Sequence, residues 1–193
     1  MIVSEKIYLK LGEALFIAQK VEYILYGIAS HMGHLEEAKK DWRFAKITAK
    51  DFLSDDPEKR SLRTATLGRL YKLFGERLGI SSLPFDLFVK ERNFFAHEFF
   101  RALSRNANEA EYLKRLADFI GLSTLTEKAL RGLLSELMEA AAKKEGRESE
   151  FKIQPEDKLN RNYYKAFVAL HLHEQGQIQL PQLNGLPPPQ SKI

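Results

Sequence analysis

From Asn106 to Gly146 the chain runs without a proline and is dominated by Leu, Ala, Glu and Lys, a content and length that commit it to helix. The stretch reads as one long helix or as two broken near Gly121-Leu122-Ser123, and two placed end to end are expected. The rest of the chain agrees with helix. From Ile7 to Ala29 the apolar residues Leu11, Ala14, Leu15, Ala18, Val21, Leu25 and Ile28 recur at three- and four-residue spacing, which makes one amphipathic face. A second helix is expected over Leu35 to Leu53, followed by turn residues at Ser54-Asp55-Asp56-Pro57. A third spans about Arg60 to Leu78 and stops at Gly79, a residue suited to a left-handed cap. Ser81-Ser82-Leu83-Pro84 opens a fourth, which runs to about Leu103.

No convincing strand alternation occurs; Phe151-Lys152-Ile153 and Gln177-Ile178-Gln179-Leu180 are the ambiguous segments. The expected fold class is therefore all-α, an antiparallel helical bundle. Residues 1–150 are assigned to the bundle and 151–193 to a C-terminal extension, with a short helix over Asn160 to Leu172 and a Pro/Gln-rich tail.

Composition narrows the function. With 193 residues, 44% hydrophobic and 29% charged, the chain supports one well-cored domain. The absence of cysteine excludes a thiolate nucleophile, a disulfide framework and cysteine-ligated metals. No apolar run approaches the roughly 20 residues of a membrane span, and the first residues lack signal-peptide order, so a cytoplasmic protein is expected. A net charge of +4 permits nucleic acid as a partner without demanding it. There is no glycine-rich phosphate loop and no serine elbow. His31 and His34, and again His171 and His173, lack a third ligand at suitable spacing, so neither metal nor cofactor is expected.

The chemistry concentrates on the fourth helix. On a helical wheel, Phe85, Phe88, Val89, Phe95, Ala96, Phe99, Phe100 and Leu103 share one broad arc, the expected buried face. Arg92 falls in the middle of that arc, where an unpaired guanidinium is costly and an anionic partner is required. Glu22 is the candidate. It sits on the apolar stripe of the first helix, four after Ala18 and three before Leu25, facing the same core. Asn93 and His97 are four apart and neighbours on the helix surface, with Asp86, Lys90 and Arg101 continuing the polar side. Arg92 and His97 themselves diverge by about 140° on an ideal α-helix. A two-fold dimer would bring two copies of the pair across one cleft.

Arg92-Asn93, three residues, then His97 on a phenylalanine-rich helix resembles the Arg-x4-His motif of the HEPN (higher eukaryotes and prokaryotes nucleotide-binding) superfamily. The run from Val89 to Phe100 looks similar to stretches of bacterial and archaeal HEPN proteins, as do Leu11-Gly12-Glu13-Ala14-Leu15, Gln19-Lys20-Val21-Glu22 and Thr66-Leu67-Gly68. The likeness covers about residues 7–145 and implies a four-helix core carrying a metal-independent endoribonuclease site shared by a homodimer. It also implies a place in toxin-antitoxin or defence systems, beside a nucleotidyltransferase-like antitoxin.

On that resemblance His97 is the acid-base group, Arg92 the phosphate clamp and Asn93 an orienting or phosphate-binding amide, with Glu22 in support. An imidazole titrates near neutrality, and a guanidinium can stabilise a pentacovalent phosphate. The alternative is a non-catalytic dimeric module that binds nucleic acid, nucleotide or protein through the same cleft. A third reading makes Arg92 and His97 structural residues of a scaffold outside the family. For RNA contacts the candidates are Lys90, Arg101 and the stripe Lys39, Arg43, Lys46 and Lys50, with Trp42 and Phe44 nearby. The plainer reading of that stripe is a solvated face balanced by Glu36, Glu37, Asp41 and Asp51.

Overall fold

In a computed structural model the described residues are 4–32, 75, 78–80, 82–105 and 108–177. They form an all-α helical bundle. Helix α1 is Glu5–Met32, α2 is Ser82–Asn93, a π-helical turn occupies Phe94–Glu98, and α3 is Phe99–Arg105. Helix α4 is Glu109–Lys144, a 3-10 turn covers Glu148–Glu150, and α5 is Pro155–Glu174. Among the described residues there is no strand, and no helix is long and apolar enough to cross a membrane. The helices expected over Leu35 to Leu53 and for most of Arg60 to Leu78, and the tail beyond Gln177, lie outside the described residues.

Helix α1 buries Ile7, Leu11, Ala14, Ala18, Val21, Leu25 and Ile28 in unbroken four-three alternation. That seam packs along α4. The backbone N–H of Ser4 donates to Glu109 Oε1 at 3.1 Å, which joins the starts of the two helices, while Ile24 of α1 and Arg131 of α4 border one cavity further along. The two helices therefore run parallel. The motif helix runs the other way: Phe88 and Phe95 stack on Phe119, and Phe99 meets Tyr112 edge-on. It is antiparallel to α1 by the same logic, because Glu22 meets Arg92 while Tyr8 meets Phe100.

Helix α4 corrects the expected break. It is one continuous helix of 36 residues, running through Gly121, Leu122 and Ser123. A mid-helix glycine costs about 1 kcal/mol, less than is gained by keeping an unbroken buried face. That face carries Leu116, Phe119, Leu130 and Leu133. The hydroxyls of Thr124 and Thr126 donate back to the carbonyls of Ile120 and Leu122, so these polar residues sit inside the helix with their hydrogen bonds met. Asn108 caps the start, with Glu109 and Glu111 in the first turn and Lys143 and Lys144 in the last, each sign matched to the helix dipole.

Helix α5 is longer than the expected Asn160 to Leu172, because Gln154 and Asp157 form a capping box across Pro155 at its first turn. It packs antiparallel on the second half of α4. Arg161 donates to the hydroxyl and carbonyl of Ser135 and pairs with Glu139. Tyr164 Oη donates to the Leu78 carbonyl at 2.7 Å, and Leu78 precedes Gly79, whose φ of +60° is the left-handed turn expected there. Burial, then the nearby Glu136, raises the Tyr164 phenol above its usual value, so it remains a neutral donor.

Where α5 crosses α4, a Cβ built on Gly132 would stand 2.2 Å from the Asn160 carbonyl oxygen. Backbone cannot yield as a flexible side chain does. Gly132→Ala is expected to destabilise the protein by about 1–3 kcal/mol despite alanine's better helix propensity. Urea unfolding measures this, and a variant as stable as the parent would show that the crossing tolerates a side chain.

Candidate functional site

The motif lies where the helix changes its hydrogen-bonding pattern. Residues Phe94–Glu98 form a π-turn, whose bonds close five residues apart instead of four. A wider turn rotates through fewer degrees per residue than the about 100° of an α-helix. His97, placed beyond Asn93 on the ideal wheel, is thereby swung back toward Arg92. The divergence expected for a regular helix is reduced within one chain.

Two ion pairs pin the turn just ahead of the π segment, one to each neighbouring helix. Arg92 Nε donates to Glu22 Oε1 of α1 at 2.6 Å, the pair that the wheel positions of both residues anticipated. Glu91, one residue earlier, points about 100° away and accepts two hydrogen bonds from Arg115 of α4, at 2.6 Å and 2.8 Å. The Arg115 guanidinium also lies over the Phe94 ring, 3.6 Å from its centroid. Phe94 in turn meets Phe95 and Phe99 edge-on.

Arg92 is half-buried. Its Nη1 donates to Asn93 Oδ1 at 3.1 Å. That bond fixes the amide, since only the oxygen can accept, and leaves the NH2 of the exposed Asn93 as a donor. A guanidinium has five N–H groups; the bonds to Glu22 and Asn93 use two and leave three for an incoming oxyanion. Asn93 and His97 are exposed, and among the described residues His97 makes no hydrogen bond or ion pair. A directed guanidinium, an amide bonded to it and an exposed imidazole thus lie within six consecutive residues.

Removing the charge from Glu22 tests whether it holds Arg92. The pair is about a quarter exposed on average, with side chains at 30% and 22%, so solvent screens part of its interaction. Glu22→Gln is expected to cost about 1–2 kcal/mol in urea unfolding, between the values of exposed and buried ion pairs. Unchanged stability would mean that the contact adds nothing to the fold.

The remaining candidates divide. Lys90 and Arg101 are exposed on the motif helix and α3, and Asp86 is exposed as expected. Lys39, Arg43, Lys46 and Lys50, with Trp42 and Phe44, lie outside the described residues. Of the expected buried arc, Phe85, Phe88, Phe95, Phe99 and Leu103 are buried and Val89 is half-buried, but Ala96 and Phe100 are exposed. Both sit at the rim of the arc, where neighbouring helices do not cover them, and Phe100 meets only the half-exposed Tyr8 ring of α1, at 5.9 Å.

His171 is buried with its Nε2 against Gln175, whereas His173 is exposed, so these two do not share a face. Among the described residues no group of three or more His, Asp or Glu is arranged to hold a metal ion. Neither the cavity between α1 and α4 nor the one beneath α5 is lined by a motif residue. The Glu91–Arg115–Phe94 cluster escaped the sequence reading, because Arg115 is one of several basic residues on a mixed-charge helix and nothing in its spacing points to Glu91.

No family model, curated protein or solved structure matches the chain, so what this surface does must be read from its own residues.

Proposed function

We propose that the chain is a metal-independent endoribonuclease of HEPN type, with His97 as acid-base group, Arg92 as phosphate clamp and Asn93 as a second phosphate donor. One observation carries this reading: a guanidinium steered by Glu22, with donors to spare, five residues before an exposed imidazole on an irregular turn. An arginine needed only for packing would use its Glu22 contact and require no exposed histidine beside it. π-turns are rare and recur at functional sites.

In the proposed reaction a ribose 2′-oxygen attacks the adjacent phosphorus while an imidazole takes its proton. Charge gathers on the phosphoryl oxygens, where Arg92 and the Asn93 NH2 stabilise it. The P–O5′ bond then breaks, and the leaving oxygen receives a proton. The products are a 2′,3′-cyclic phosphate and a 5′-hydroxyl. Water and redox partners are not consumed. In a two-fold dimer one His97 takes the first proton and that of the second copy gives the other, which keeps the expected composite site. The proposal extends to a toxin restrained by a nucleotidyltransferase-like antitoxin.

A non-catalytic binding module is favoured by one feature, that Arg92 is already neutralised by Glu22. Incubating total RNA in EDTA with the protein and with an Arg92→Ala/His97→Ala variant separates the readings. Cleavage by the parent alone is expected. Intact RNA in both tubes rejects the nuclease, and cleavage abolished by EDTA rejects the metal-free mechanism.

A further inference from the structure

We propose that Arg115 is a positioning residue that holds the π-turn in register and so sets where His97 stands relative to Arg92, an inference that rests on the nuclease reading for its kinetic consequence. A π-turn is a poor state for an isolated helix, because its wide ring packs badly and regular i→i+4 bonds compete with it. It persists where surrounding contacts over-determine it. Arg115 supplies such contacts at the junction. Its fork takes both oxygens of Glu91, in the last turn of α2, and its face covers Phe94, the first π residue.

Three features give the grip direction. Glu91 is largely buried, with a side chain 14% exposed, so its carboxylate has little water to turn to if the fork is withdrawn. Arg115 stands on α4 one turn from Phe119, which stacks on Phe88 and Phe95 and fixes the floor under the motif helix. Arg92 is held separately, from α1. Loss of Arg115 therefore leaves the phosphate clamp in place and frees the turn that carries the imidazole to close to α-helical register. His97 then rotates away from Arg92.

The test is Arg115→Met, which keeps an apolar stem over Phe94 and removes the fork, beside Arg115→Lys, which keeps the charge but neither the fork nor the planar stack. In crystal structures of both variants Phe94–Glu98 is expected to rewind to i→i+4 bonding. In RNA cleavage kcat is expected to fall by about a hundredfold for the methionine variant, as for a catalytic group displaced by an ångström, with KM unchanged. Lysine falls in the same direction and by less.

A retained π-turn in these variants overturns the proposal whatever the kinetics. So does a lowered melting temperature with kcat of the folded enzyme unchanged, the signature of a scaffold residue. Should the methionine variant fail to fold, Glu91→Gln loosens the grip while leaving the Phe94 stack, and the same structural readout applies. If the parent cleaves no RNA, the nuclease reading falls, and the rewinding of the turn still decides the role of Arg115.

Discussion

Replacing His97 with alanine is expected, on the proposed nuclease reading, to lower the rate of RNA cleavage by about 10²–10⁴-fold, the usual contribution of a positioned proton-transfer group. KM should barely change, because an exposed imidazole contributes little to holding a polyanion. Arg92→Ala is expected to cost at least as much, since it removes the charge proposed to stabilise the phosphorane and leaves Glu22 half-buried without its cation. The double variant should lose little beyond the worse single one, because groups that act on one phosphate as a unit do not contribute additively. Single-turnover assays in EDTA measure all three. Multiplicative losses in the double variant would place the two residues in separate functions and dissolve the site as drawn. His97→Ala should melt with the parent, as an exposed residue making no hydrogen bond or ion pair among those described.

The second large effect concerns stability. Phe119 is 1% exposed and stacks between Phe88, at 5.7 Å, and Phe95, at 5.2 Å, so one ring on α4 supports both sides of the turn that carries Arg92. Phe119→Ala removes a buried aromatic that three rigid helices cannot collapse to replace, and is expected to cost about 3–5 kcal/mol. Against a typical total of about 5–15 kcal/mol that leaves a marginal fold. Urea unfolding checks it, with Phe100→Ala as the comparison: that ring is half exposed and its loss should cost far less. A Phe119 loss below that of Phe100 would mean that the motif helix does not rest on α4 in the way described.

Helix was legible wherever a local rule governed it. The four-three stripe of α1, the start of α2 at Ser82 and the left-handed Gly79 all follow from side-chain periodicity or backbone sterics within a few residues. The Glu22–Arg92 pair was legible for a less local reason: two charges on apolar faces of two helices have to meet, because burial without a partner is too costly.

Where local rules compete with packing, they misled. Gly121 and Ser123 signal a break, but α4 continues because its buried face outweighs one glycine. The rim of the phenylalanine arc is apolar by composition, yet Ala96 and Phe100 are exposed, since only neighbouring helices determine how wide a buried face becomes.

Residue identities and spacing thus determined by themselves that this chain is helical, that Arg92 needs an anion and that His97 lies near Asn93. Tertiary structure alone decided how the motif turn is wound. A π-turn has no sequence signature strong enough to read, because its energy comes from contacts beyond its own helix, here the fork of Arg115 on Glu91 and the ring of Phe94 beneath it. Arg115 and Glu91 are 24 residues apart in the chain, and only the packing of α4 against α2 brings them together.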